Sequence, residues 1–441
     1  MTLVTWAEAV SINFRKSAGS ATLTFEAGRE YVLAQQQFQR ITQEAQVAQR
    51  VFKVSRIEAR IPNFHVLARK PGPQRLLLYN GAGGYGDQIM TWPFARILTT
   101  YGFEVHILAD PGNQTCWWNF PWIKSIQSLP MQYEHFRMYD YWVMFEAVVN
   151  TDEHQDQIHP LDTMLNKVGI DPGTVDPKLK VVRPNFTYLE TLTTQPFQNK
   201  QIGLYQLSAA NQVRCLPPSD AAFLLTKIAD AWPNIHWLAL YDEFIPEPYR
   251  AALACPKCGG KGKVQAVADL PPGVVPSIVN GTVTGYTGTG RIAAAAATLA
   301  QPAMSTLVDE GCPKCSGTGT VRPNIQLYCA PALRELWALT AKAAVVIAPD
   351  SLMVHAAGCQ DVPCVGLWGL VNPANRTKYY KNHAAIWKRE ACPFSPCYAY
   401  GGQFPRYCPP RPSRSVCECL GAISPADVIE AVKKIIPRPT T

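Results

Sequence analysis

Residues 75–110 constrain the fold most. "RLLLYN" is a short, continuous apolar run of strand length, and the glycine-rich stretch "GAGGYG" breaks it. "DQIMTWPFARILTTYG" then has helical length, and "FEVHILAD" returns to strand character. A strand, helix and strand in this order make a parallel pair through a right-handed crossover, which predicts an α/β sheet.

The alternation recurs. "QIGLYQLS" begins a second block at residue 201, followed by the helix "DAAFLLTKIADAWPNI" and the strand "HWLALYDE". After an interruption it resumes with "NIQLYCA", "PALRELWALTAKA", "AVVIAPD" and "PCVGLWG". Two such blocks predict two Rossmann-like domains facing a cleft. In the first, "QIHPLDTMLNKVGIDP" reads as a helix ended near Gly169, and the aromatic cluster "CWWNFPWIKSI" reads as core or lid. A last helix, "SPADVIEAVKKII", is predicted to start with Ser424 as N-cap and Pro425 in its first turn.

Residues 1–70 differ in character. "AVSINFRK" and "ATLTFEAG" read as strands, and "YVLAQQQFQRITQEAQVAQRVFKV" as a Gln-rich helix leading into a strand, with "RKPGPQ" as a linker. This small α+β module is either a docking unit or an extra layer on the main body, and it resembles leading segments of some phage virion proteins. The domain division is therefore 1–70; 71–195; 196–251 with 322–424; an insert at 252–321; and a C-terminal helix and tail at 425–441.

The 441 residues are 47% hydrophobic and only 17% charged, which supports a large core and argues against disorder. The net charge of +8 comes from Lys and Arg scattered along the chain. That distribution argues against a nucleic-acid footprint and suits a basic cleft for phosphates or acidic glycans. No basic flank precedes an apolar stretch at the N-terminus, and no apolar run reaches the roughly 20 residues of a membrane span. The expected location is cytoplasmic, with a virion as the alternative.

The insert carries a metal signal. "CPKCGGKG" and "CPKCSGTG" both fit C-x-x-C-x-G-x-G, and each offers two thiolates on a glycine-permitted knuckle. Cys255, Cys258, Cys312 and Cys315 together predict a tetrahedral, structural zinc site that staples an insert too small for its own core. The knuckles resemble those of the DnaJ cysteine-rich region. Cys392, Cys397, Cys408, Cys417 and Cys419 are spaced irregularly, which leaves a second zinc, disulfides or free thiols all open.

Gly81, Gly83 and Gly86 spell G-x-G-x-x-G at the end of a strand, and Asp110 closes the next strand where a ribose-binding acid belongs. That pattern predicts a dinucleotide loop and a nicotinamide-dependent oxidoreductase. The competing reading takes the glycines as clearing space around Asp87.

Gly86, Asp87, Thr91, Pro93, Arg96 and Leu98 follow the pattern Gly-Asp, then Thr-x-Pro-x-x-Arg-x-Leu. Later, "APDSLMVHAAGCQDVPCVGLWGLVNPANR" supplies Asp350, Ser351, His355, Ala357, Pro363 and Gly369 in order. With these motifs, residues 75–251 and 322–436 resemble the family-nine glycosyltransferases, the heptosyltransferases of lipopolysaccharide synthesis. The resemblance implies a GT-B architecture and inverting, metal-independent transfer of a sugar from a nucleotide-sugar donor to a glycan or other hydroxyl acceptor. It implies that Asp87 is the base. It also places Arg214, Asp350, Ser351 and His355 around the donor, with the start of the helix after Ser351 offering amides to the diphosphate. Each has a plainer role: Asp87 and Ser351 as helix caps, His355 as a packed histidine, Arg214 as a solvated loop residue. Leu352 departs from the family's Gly, and "LSAANQVRC" departs from its Ser-x-x-Lys loop. Those departures keep a second function open, a catalytically inactive virion or scaffold protein whose N-terminal module and insert contact protein partners.

Overall fold

The computed structural model describes residues 1–6, 10–16, 19–33, 38, 39, 41, 51–62, 64, 73–81, 84–118, 120–145, 157–185, 195–207, 209, 212–241, 247–255, 263–267, 275–279, 282–287, 307–311, 320–329, 333–397 and 417–436. At the N-terminus, β1 (Thr2–Trp6) is followed by a hairpin of β2 (Val10–Lys16) and β3 (Gly19–Phe25), then β4 (Glu30–Leu33) and β5 (Val51–Arg56).

β6 (Gln74–Asn80) enters the first parallel sheet, followed by α1 (Tyr85–Thr100), β7 (Phe103–Ala109) and β8 (Ile123–Ser128). After the short β9 (Met131–Gln132) come β10 (Tyr141–Phe145) and α2 (Pro160–Lys167). The sheet order is β10-β6-β7-β8, all parallel. Gly169, at φ 80°, takes the left-handed turn that stops the chain from continuing α2, as its position predicts.

The second block runs β11 (Gln201–Gln206), α3 (Pro218–Ala231), β12 (Ile235–Tyr241) and α4 (Glu247–Leu253). The insert contributes β13 (Lys263–Val267), β14 (Val275–Val279), β15 (Thr282–Thr287) and β16 (Leu307–Gly311). The chain returns with β17 (Ile325–Cys329), α5 (Leu333–Lys342), β18 (Ala343–Pro349), α6 (Leu352–Cys359), β19 (Cys364–Trp368), β20 (His383–Trp387) and α7 (Pro425–Ile435). Its sheet order, β17-β12-β11-β18-β19-β20, is the doubly wound 3-2-1-4-5-6 arrangement, with its switch point between β11 and β18. β20 was not anticipated from the sequence.

Alternate residues of the second sheet enter different cores. Tyr205, Trp237, Ala239, Ile347 and Leu367 pack on one face, and Leu204, Leu238, Leu240, Val346 and Trp368 on the other. Burial on both faces is why these strands read as unbroken apolar runs. The first sheet shares its core with the second domain: Leu76, Ile89, Trp92 and Ile107 cluster with Trp337, Ala356 and Cys359. Trp92 meets Trp337 with ring centroids 5.1 Å apart.

Two sequence expectations change in the structure. Tyr31–Leu33, read as the start of a helix, is strand β4, because the buried, strand-favouring Tyr31 and Val32 pair with both β1 and β9 while the buried Leu33 pairs with β1. That pairing joins the N-terminal strands to the first sheet's domain, where Val32 packs with Leu77, Tyr79 and Met131. α7, set apart with the tail, packs into the second domain through Val428, Ala431 and Val432.

The predicted Ser424 cap is present. Ser424 Oγ accepts from Asp427 N at 3.2 Å, and Asp427 Oδ2 accepts from Ser424 N at 2.8 Å. Burial pushes the Asp427 carboxyl up, but Lys388 and Ser424 outweigh it and hold it down at about 2. Ser424→Ala is expected to cost about 1 kcal/mol, read from the denaturant midpoint. The Asp427 share is full above the ordinary carboxylate range of about 4 and is lost as pH falls through the depressed value.

Candidate active site

The start of α1 is tied to the end of β6. Asn80 Nδ2 donates to Thr91 Oγ1 at 2.6 Å and to the Asp87 carbonyl at 3.3 Å, and Gln88 Nε2 donates to the Asn80 carbonyl at 3.1 Å. Trp117 Nε1 closes the set on Gln88 Oε1 at 3.0 Å. Three of these four bonds are buried, so the helix cannot slide along its strand without leaving buried groups unpaired.

Gly84 is the N-cap of α1, and Asp87 stands at the third helical position. A Cβ on Gly84 would lie 2.8 Å from Asp87 Oδ2, so the carboxylate folds back over the helix start where glycine leaves room. The Gly84 amide bonds it there, so the capping role is real. Burial is the largest influence on this half-buried carboxyl and raises its pKa. Arg376 and then Arg214 pull it down, while Asp350 pushes it up. Asp87 therefore caps α1 and also faces charged groups of the other domain.

Arg214 and Asp350 come from the second domain's switch point. Arg214 Nη1 donates to the Asp350 carbonyl at 3.2 Å, and its Nε lies 3.6 Å from Asp350 Oδ2. Arg214 is thus held against a buried aspartate rather than solvated in a loop. Ser351 is the N-cap residue of α6, but its hydroxyl donates to Gln206 Oε1 at the end of β11. That bond crosses between the strands that flank the switch point.

His355 is buried, and its Nδ1 pairs with Tyr380 Oη at 3.0 Å. Burial lowers its pKa to about 4, with Asp350 opposing. Its opposite edge faces α1: a Cβ on Gly86 would lie 3.0 Å from His355 Cδ2 and 3.9 Å from the Leu352 Cα. Gly86 lets two helices from different domains approach, rather than making room for a ligand at the backbone. Leu352 is half-buried and packs onto the apolar cluster that the two domains share. Gly81 donates its N–H to the Phe145 carbonyl at 2.7 Å, and Gly83 lies outside the described residues. Asp110 follows β7 and, through its carbonyl, accepts from Asn113 N at 2.8 Å.

Two site residues escaped the sequence reading. Arg376 lies buried on the turn Ala374–Thr377 that follows the carboxyl end of β19, inside "NPANR". The available signal was position, since polar residues past the carboxyl ends of parallel strands face the crevice. His159 begins α2 beside the same crevice, and Asp162 joins the domains: Lys378 Nζ reaches it at 2.8 Å and Tyr379 Oη at 2.6 Å.

Of the predicted zinc ligands only Cys255 is described, and it is buried; Cys258, Cys312 and Cys315 lie outside the described residues. Ala254 bridges Thr320, and Lys263 pairs with Gly311, so the two knuckle sequences span the interval between two paired rungs. Among the described residues no group of three or more His, Cys, Asp or Glu is arranged for a metal. Cys392, Cys417 and Cys419 are unbridged thiols, Cys397 is half-buried beside them in sequence, and Cys408 lies outside the described residues. No described helix is long and apolar enough to cross a membrane.

Residues 317–407 match the model of Glycosyltransferase family 9 (heptosyltransferase). The match takes in β17 through β20, with Asp350, Ser351, His355 and Arg376, and it points to a glycosyltransferase. No curated protein matches the chain. Among solved structures, E. coli ADP-heptose lipopolysaccharide heptosyltransferase II is similar, with 11% identity and a TM-score of 0.46 over 82% of this chain and 98% of that one. A family 9 glycosyl transferase from Veillonella parvula gives 11% and 0.47 over 84% and 99%. The iron-containing dodecameric glycosyltransferase TibC of enterotoxigenic E. coli gives 10% and 0.46 over 98% and 93%.

His355 is wedged between Gly86 and the Tyr380 ring and cannot yield freely. Gly86→Ala would gain up to about 1 kcal/mol of helix propensity but lose roughly 1–3 kcal/mol to overpacking. A net loss of about 1 kcal/mol is expected, read as a lower midpoint in thermal unfolding.

Proposed function

We propose that the protein transfers a sugar from a nucleotide-sugar donor to a hydroxyl acceptor in the cleft between the two domains. The observation that carries this reading is that Asp87, beside the Gly86 that packs against His355 of the second domain, feels the charges of that domain's Arg376, Arg214 and Asp350. Asp87 takes the proton of the acceptor hydroxyl as its oxygen bonds to the anomeric carbon. The bond from that carbon to the diphosphate oxygen breaks on the opposite face, inverting the centre, and the electron pair leaves with the nucleoside diphosphate. Arg214, Arg376 and the amides at the start of α6 neutralise the charge that develops there.

Screening nucleotide sugars by nucleotide release tests the reading. Asp87→Ala is expected to lower acceptor-dependent turnover at least about 100-fold. Because burial raises the Asp87 pKa and only the ionised form accepts a proton, kcat/KM should rise with pH along a limb above the usual carboxylate range of about 4. No turnover or binding of any nucleotide sugar would remove the proposal.

Leu352 favours a second reading, an inert structural protein, since its side chain packs where the helices meet. Leu352→Gly decides between them: gain of nucleotide-sugar binding in a chain that otherwise has none supports the inert protein.

The proposed role of Cys255, Cys258, Cys312 and Cys315 is a structural zinc site closing the insert. Elemental analysis is expected to find one zinc per chain. A chelator should lower the stability of the insert, read by limited proteolysis, and a folded zinc-free chain would overturn the assignment.

A further inference from the structure

His159 is only 5% exposed, yet it has no evident structural use for half of its ring. Its Nδ1 accepts from Leu161 N at 3.1 Å and so caps α2. The proton of the neutral ring must then be on Nε2. Nε2 is buried and has no hydrogen-bond partner among the described residues. Leaving such a donor buried and unpaired is unfavourable, so a site that keeps one calls for an acceptor from elsewhere.

The fold says where that acceptor comes from. α1 follows β6 and α2 is the next labelled helix after β10, and these adjacent strands flank the switch point of the first sheet. The beginnings of α1 and α2 thus border one crevice, and ligands of open α/β sheets bind there. Tyr379 packs its ring edge on His159, with centroids 4.8 Å apart, which holds the imidazole at the domain seam. The groups whose charge acts on the ring are Asp162, Arg376, His355 and Lys378. Asp162 is already engaged by Lys378 and Tyr379, so the surroundings favour an incoming anion.

We propose that His159 is a ligand-binding residue of the cleft, whose Nε2–H and the Arg376 guanidinium together receive an oxyanion of a nucleoside diphosphate. This rests on the glycosyl-transfer reading and adds a first-domain residue to the grip on the leaving group. Nε2 is buried at the seam in this structure, so binding of the anion requires the seam to give way locally. Burial lowers the His159 pKa to about 3, so the ring is a neutral donor across the working range.

His159→Asn tests this, because asparagine is itself a good N-cap and keeps α2 started, while its amide N–H groups lie on a side chain too short to reach the Nε2 position. Calorimetric titration with inorganic pyrophosphate and a set of nucleoside diphosphates should show about tenfold weaker binding in the variant, at an unchanged unfolding midpoint. In the wild-type protein, the His159 Nε2–H resonance should move on adding pyrophosphate, a readout that holds even where a variant folds poorly. Wild-type affinity in folded His159→Asn, or an unmoved resonance at saturation, overturns the inference while leaving glycosyl transfer standing. If the wild-type protein binds neither pyrophosphate nor any nucleoside diphosphate, the glycosyl-transfer reading falls and this inference falls with it.

Discussion

A carboxylate half-removed from water at a domain seam needs positive charge nearby, and the arrangement around Asp87 follows from that need. Its own domain supplies the Gly84 amide and the positive end of α1. The cations, Arg214 and Arg376, arrive from the second domain. The charge balance of the site therefore exists only when the two sheets are brought together. The apolar contact of Trp92 with Trp337 and the fit of Gly86 against His355 hold them in that relation. Each large apolar side chain buried at such a seam is worth on the order of 1.5–3 kcal/mol, enough to offset the desolvation of a few charged groups.

The additions to this pair of domains attach in different ways. The N-terminal strands join the first domain by main-chain pairing of β4 with β9 and by a shared apolar cluster. The insert leaves the second domain at α4 and returns at β17, through the bridge of Ala254 with Thr320. An excursion between two neighbouring strands of the sheet leaves the pairing of β12 with β17 intact. That explains how a long interruption is tolerated without loss of the doubly wound order.

Much of the architecture was legible in the chain because its strands are buried on both faces and its helices are bounded by strong signals. Gly169 and Ser424 are such signals, and both act as their residue types require. Asp87 was legible too, since a carboxylate after a glycine turn at a strand's end has few other places to be. Tyr31–Leu33 misled because Tyr-Val-Leu fits either a helix or a strand locally, and the deciding partners, β1 and β9, are distant in sequence. Arg376 and His159 were missed for the same reason: neither stands in a local pattern, and each acquires meaning only from what crosses the seam to meet it.

By itself, the order of residues determined two parallel α/β blocks, the glycine turn with its aspartate, and the paired C-x-x-C knuckles, because each depends on periodicity or on spacing within a few residues. Tertiary structure alone decided that Gly86 admits a helix from the other domain, that Ser351 reaches across to Gln206, and that two arginines from the second domain stand by Asp87. Those relations depend on distances between segments more than 100 residues apart in the chain, which burial and charge set only once both sheets are folded.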